Sequence, residues 1–256
     1  MKIRKFHHMK MDYFENRRSC RNFTNTSISD ETLYDIVRKA MRAPTCGNMQ
    51  LYSVIVTKDS ENLSALANFH FNQPASTTAP VILTICADFN RFTRWCEINN
   101  ADAGFDNFHS FITALTDAVI FAQQIVTVAE MEGYGSCYLG TVNYNAKEIS
   151  EFLQLPDLVV PVAALSIGVA QNEGEKVERL EPEAVLHFEK YRKDGDDKII
   201  ELHKIKDEFE PNKAFVKENR KENIAQVISE IRYPRSMNEK VSESFLKLLK
   251  EKKFFN

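Results

Sequence analysis

The chain has 256 residues, 43% of them hydrophobic and 27% charged, which is enough apolar material to bury a sizeable core and too much for a disordered chain. Its 33 basic and 36 acidic side chains leave a net charge of −3, with both signs interspersed, so no general attraction to nucleic acid or acidic membranes follows. The cysteines, at 20, 46, 86, 96 and 137, are odd in number and form no C-x-x-C pair; neither a disulfide framework nor a zinc site is indicated, and a reducing, cytoplasmic setting is expected.

From the start of the chain, MKIRKFHHMK is basic but has no apolar run behind it, so it does not read as a secretory signal. His7 and His8 are adjacent there and receive no metal role. Residues 11–17 read as a short helix. Ser29 caps a second helix, with Asp30 and Glu31 in its first turn and Leu33, Ile36, Val37, Ala40 and Met41 at helical spacing. Pro44 and Gly47 end it in a loop. Residues 51–57 (LYSVIVT) read as a strand, 61–69 as a helix, and 80–87 (PVILTICA) as a fully buried strand.

The centre is a long helix over about 109–132. Its apolar stretch is broken by Asp117, Gln123 and Gln124, which are costly at the middle of a bilayer, so it reads as a core helix and not a membrane span. Gly133-Tyr134-Gly135 stops it, and Cys137-Tyr138-Leu139 follows as a brief strand. Residues 146–153 are helical, 159–169 form a further strong strand, and 170–182 (AQNEGEKVERLEP) are a polar excursion. The charged tail carries helical patterns over 196–208, 214–231 and 239–252. Helices and strands in the order α α β α β α α β α β α give an α/β or α+β layered fold, with a core over 1–170 that is expected to be complete by Val169. The extension 171–256 bears apolar positions (Ile199, Ile200, Leu202, Ile205, Phe245, Leu246, Leu248, Leu249) that need the core or a partner subunit to cover them.

Motifs for a nucleophile elbow, a zincin helix, a phosphate loop or a dinucleotide fingerprint are absent from the sequence. Three polar clusters remain, each at a turn. Arg17-Arg18-Ser19-Cys20-Arg21 concentrates guanidinium groups, which bind phosphate oxygens bidentately, with a serine donor; alone, it reads more simply as a solvated basic turn. Ala43-Pro44-Thr45-Cys46-Gly47-Asn48-Met49-Gln50 sets Asn48 and Gln50, each donor and acceptor, beside small residues that let a ligand approach the backbone; a plain helix stop explains it equally well. Gly133 to Thr141 is rich in glycines that permit close backbone approach.

In order and spacing these clusters resemble the nitroreductase family over nearly the whole chain: RRSCR for R-R-S-x-R, APTCGNMQ for A-P-S-x-x-N-x-Q, GYGSCYLG for G-x-G-x-x-x-x-G, and LPDLVVPVAALSIGVA for the family's later strand. The long charged tail is similar to the larger branch of oxygen-insensitive nitroreductases and NADPH-flavin oxidoreductases. The resemblance implies an α+β fold with a mixed or antiparallel central sheet flanked by helices, an interlocked homodimer, FMN as cofactor and NADPH or NADH as donor. It also implies chemistry carried by FMN, with no catalytic side chain and no metal. By match of residues, Arg17, Arg18, Ser19 and Arg21 contact the flavin phosphate, ribityl chain or ring edge. Thr45, Cys46, Asn48 and Gln50 belong to the loop along the ring, Gln73 is a flavin-contacting glutamine, and Tyr138, Leu139, Gly140 and Thr141 approach the other side. Lys176 and Arg179 reach the phosphate, although their spacing is longer than the family's and encloses Glu178. Thr45 replaces the usual serine and Thr141 a common glycine. Cys20 and Cys46 read as small packing residues and not as redox partners.

The expected activity is hydride transfer from NAD(P)H through FMN to nitroaromatic, quinone or flavin acceptors by a ping-pong mechanism. The acceptors are small molecules, with no nucleic acid or membrane as partner. The alternatives are reductive dehalogenation on the same fold, or a non-catalytic flavin-binding protein.

Overall fold

The computed structural model describes residues 12–255; His7 and His8, and the expected helix start at Met11, lie outside them. These residues form two compact units, one running to Glu175 and taking in Val241 onward, the other spanning Lys176–Lys240.

The first unit is built on a four-stranded antiparallel sheet. Its strands are β1 (Tyr52–Thr57), β2 (Val81–Asp88), β3 (Gly135–Tyr138) and β4 (Val159–Gly168), in spatial order β1-β2-β4-β3. The sheet is thus wholly antiparallel, the second of the two expected forms. Every residue of β2 and β4 is buried, because helices cover both faces and leave no polar side to alternate with. Pro161, which cannot donate to a ladder, sits where the β2–β4 register shifts: Ile85 faces Ala163 while Cys86 faces Pro161. Val162 is the extra residue, and the bulge sends both Val162 and Ala163 to the same core cluster.

On one face lie α2 (Asp30–Ala40) and α6 (Phe108–Met131). Ser29 caps α2 as expected, its hydroxyl accepting from Thr32 N–H at 3.1 Å. Ala114, Ala118, Ala122 and Ala129 let α6 approach the sheet closely, and Phe111, Phe121, Ile125 and Val126 fill the space between. The other face carries α3 (Ser60–Phe69), α4 (Pro74–Thr77) and α7 (Ala146–Phe152), around Leu66, Ala75, Ile82, Val142, Ile149 and Ala164. Two short helices complete the unit before its last segment: α1 (Asp12–Asn16) and α5 (Asn90–Ile98), the second of which fills the undelimited helical slot after β2.

The expectation that this core closes by Val169 is corrected at the chain's end. Leu248, Leu249 and Phe254 are buried in the same cluster as Phe111 and Leu158, and Leu158 N–H donates to Lys252 C=O at 2.9 Å. The apolar face of α11 (Arg235–Glu251) was therefore a core face in part; Leu246 stays exposed.

The second unit holds α8 (Asp196–Glu208), α9 (Glu210–Glu218) and α10 (Ile224–Gln226), which runs into a wider turn over Val227–Arg232. The single helix expected over 214–231 is split. Arg220 is left-handed (φ 54°), and Asn223 starts a new helix by accepting from Gln226 N–H at 3.0 Å, a local bond that competes with helix continuation.

Candidate active site

The Arg17–Arg21 segment follows α1 without regular secondary structure and is gripped from two sides. Cys20 N–H donates to Ser136 C=O at 2.8 Å, and a methyl group at Gly135 would lie 2.7 Å from Cys20 Cβ. At Gly174 a methyl would stand 2.2 Å from the Ser19 carbonyl oxygen. Both positions exclude any side chain so that the segment can seat itself. Arg17 Nη2 lies 3.1 Å from Glu130 Oε1; Glu130 also accepts from the Tyr13 hydroxyl at 2.7 Å and the Ser136 hydroxyl at 2.5 Å. Arg18 pairs with Glu173 at 2.8 Å and donates to Gly174 C=O. Arg21 differs. It is exposed, and among the described residues it has no carboxylate or hydrogen-bond partner.

The Gly133–Thr141 cluster joins the first through β3. Burial raises the pKa of the Cys137 thiol, and the nearby Arg21 charge opposes that rise. Burial likewise pushes the Tyr138 phenol up to about 12, against the Arg17 charge. Leu139 is only 1% exposed and its N–H donates to Ala164 C=O, so its side chain belongs to the core and its carbonyl is what it can offer. At Gly140 a methyl would meet no atom within 4 Å: the chain leaves open space there. Thr141 Oγ1 lies 2.8 Å from His70 Nδ1. His70 closes α3, is wholly buried, and is pushed down to about 4 by that burial, so it is neutral near pH 7, with Nε2 unpartnered. Left-handed Phe71 and Asn72 then turn the chain to exposed Gln73, which starts α4. Residues 17–21, 70–73 and 135–141 are thereby linked in one neighbourhood.

The Ala43–Gln50 cluster is organised by a residue that motif reading did not assign. Asp117 of α6, 2% exposed, accepts from the Thr45 hydroxyl at 2.5 Å, Cys46 N–H at 2.8 Å and Leu51 N–H at 3.3 Å. The loop between is left-handed at Gly47, Asn48 and Gln50, and Gln50 Nε2 donates to Asn48 Oδ1 at 2.7 Å. Cys46 is exposed, which corrects its expected packing role: the loop's backbone is turned to Asp117 and its thiol is not. Cys20 is buried as expected. Asp117 and Glu130 are the two acids of α6. Thirteen residues apart, they lie about 20 Å from one another along the axis and on different faces, so one chain holds the loop at 45–50 well away from the Arg17 network. Lys176 and Arg179 fall in the second unit; Lys176 is exposed, and Arg179 Nη1 donates to Glu178 C=O at 2.9 Å.

The family model described as the nitroreductase family matches residues 14–169, more than half of the chain. The chain belongs to the nitroreductase family. A protein named FMN reductase (NADPH), from Bacillus subtilis strain 168, is 32% identical over 184 residues, covering 71% of this chain and 74% of that protein. A solved structure from Bacteroides fragilis NCTC 9343 is 41% identical with a TM-score of 0.94, covering 96% of this chain and all of that one (100%). The structure of NfrA1 nitroreductase from B. subtilis superposes with a TM-score of 0.82 at 27% identity, covering 95% of this chain and 98% of that one. The expected α+β nitroreductase fold is the fold observed.

For a member of this family the arrangement offers a defined chemistry. An uncommitted guanidinium at Arg21 and the adjacent Ser19 suit an oxyanion. At Gly140, between Tyr138 and Thr141 in the chain, the backbone is exposed and no side chain stands over it. Asp117 and Glu130 left a signal in the sequence, as the two acids of a largely apolar helix. What they hold was not readable from it, because their partners are remote in the chain.

Proposed function

We propose that this nitroreductase-family chain is an NAD(P)H-dependent FMN oxidoreductase that reduces small nitroaromatic, quinone or flavin acceptors. The observation that carries the reading is that β3 and the turn after it are tied to the 17–21 segment through Cys20 and Ser136 and to the 70–73 turn through His70 and Thr141, with the Arg21 guanidinium left unpaired. Such a site fits a phosphate-bearing planar cofactor. Ser19 and Arg21 would hold it with Arg17, Arg18 and Gln73, while Tyr138, Leu139, Gly140 and Thr141 border the ring, Leu139 through its backbone; Lys176 and Arg179 are proposed for the phosphate. When bound, FMN supplies a two-electron relay between nicotinamide and acceptor. The protein binds, orients and shields it, and a guanidinium at the ring edge stabilises the negative charge that reduction places there. Donor and acceptor then use one open face in turn, which is ping-pong kinetics.

The site is completed by a second copy of the chain. The loop bearing Thr45, Cys46, Asn48 and Gln50 sits far along α6 from the Arg17 network. The same helix exposes Phe108, Ile112, Val119 and Ile120, an apolar stripe at helical spacing that a homodimer would cover. The thiols are all free, as suits the cytoplasm.

The test is spectroscopic. Purified protein should be yellow, should release FMN and not FAD on denaturation, and should bleach anaerobically on addition of NADPH or NADH. Bound FAD, or colourless protein that FMN does not reconstitute, would overturn the reading; bound flavin that no nicotinamide bleaches would favour a non-catalytic flavin protein.

A further inference from the structure

The Asp117 carboxylate is buried in α6 and has no basic partner among the described residues; donors from the 45–51 segment surround it. A carboxylate is costly to bury unless hydrogen bonds replace its water. Here the Thr45 hydroxyl and the backbone N–H groups of Cys46 and Leu51 do so. These donors stand at the two ends of a loop whose interior departs from ordinary backbone: Asn48 and Gln50 are non-glycine residues with φ of 55° and 50°. Such residues persist where the surroundings over-determine them, and Asp117 closes the ring that does this. The Thr45 hydroxyl donates to Asp117 and so turns a lone pair to Gln50 N–H, 3.0 Å away. Gln50 Nε2 in turn occupies Asn48 Oδ1. The loop is left with the Asn48 side-chain Nδ2–H as a donor and the Gln50 side-chain carbonyl as an acceptor.

We infer that Asp117 is a positioning residue for acceptor reduction: from inside α6 it fixes the hydrogen-bonding face, Asn48 donor and Gln50 acceptor, that the loop presents to an oxygen-bearing acceptor. This rests on the reading that the loop borders the cofactor. Nitro and quinone groups carry acceptor oxygens, so the Asn48 side-chain Nδ2–H is the group that would meet them. An amide at position 117 keeps the shape but sets an NH2 either at Oδ2, to which Thr45 and Leu51 both donate, or at Oδ1, to which Cys46 donates, so the loop loses part of its anchor in either orientation.

The test uses the full-length enzyme with FMN and a quinone acceptor, in a cycle of Asp117→Asn, Thr45→Val and the double variant. FMN content is measured in each variant: because Thr45 lies on the loop along the ring, loss of FMN from the single variants while the wild type stays loaded would show that the Asp117 link holds the cofactor and not the acceptor, and would overturn the inference. The expected result is an acceptor KM raised at least tenfold in each single variant with kcat changed much less, and a double variant no worse than the poorer single one, as for residues that act through one link. An unchanged acceptor KM in Asp117→Asn, or losses that add in full, would overturn the inference. Should Asp117→Asn fail to fold, Thr45→Val decides alone, an unchanged KM counting against the proposal. Wild-type protein without flavin would sink the functional reading instead, before any variant is compared.

Discussion

Arg21 stands apart from its neighbours in its pairing. Arg17 is held by Glu130 and Arg18 by Glu173, so replacing either also strands a carboxylate. Arg21 leaves none behind, and its loss reads out ligand binding cleanly. Arg21→Ala should raise the FMN dissociation constant at least tenfold, since a charge-assisted hydrogen bond contributes about 1.5–3 kcal/mol. Flavin titration showing wild-type affinity would remove Arg21 from the site. His70 makes a prediction in pH. Its folded pKa of about 4 lies below its ordinary value of 6.5, so between those values the unfolded chain binds more protons. Stability therefore falls as pH drops through that window, by about 2 kcal/mol at pH 5 relative to pH 7 from this group. His70→Asn, which can keep a bond to Thr141, should lose less stability than wild type between pH 7 and 5 in urea unfolding. Equal losses in the two proteins would show that His70 is not the titrating group.

At the scale of elements, α6 is both core and scaffold. Its small residues face the sheet, while its two acids leave that apolar pattern to anchor loops from other parts of the chain: Asp117 the 45–51 loop, Glu130 the Tyr13–Arg17 segment and Ser136. The apolar residues bring the helix into place by burial, which is non-directional. The acids then select one arrangement of the loops, because each buried oxygen must find a donor. Exposed Ile112, Val119 and Ile120 of α6, with Phe108 that packs partly against Phe255, are those the proposed dimer would cover.

At the scale of the molecule, the end of the chain is part of the first unit and not an appendage to it. Truncation after Ala170 would delete Leu248, Leu249 and Phe254 from the core. Removing even one large buried side chain costs about 2–5 kcal/mol, against a total stability of about 5–15 kcal/mol for a domain. The truncated chain should be insoluble or flavin-free, and the intact protein should sediment as a dimer at micromolar concentration. A soluble truncated monomer that binds FMN would refute both the dependence of the core on its C-terminal end and the proposed dimeric site.

The sequence by itself determined what is local or periodic. The Ser29 cap, the buried strands β2 and β4, the long α6 and the order of the RRSCR, APTCGNMQ and GYGSCYLG segments were all legible, because caps, periodicity and turn residues act over a few neighbours. The split at Arg220 escaped because a left-handed residue inside a helical pattern leaves no change in apolar spacing. Tertiary structure alone decided which arginine stays unpaired, that Cys46 is exposed, that Phe254 completes the core, and that Asp117, 72 residues from Thr45, holds the loop. A buried polar group takes whatever donor the packing brings to it, and that donor's distance along the chain is unconstrained.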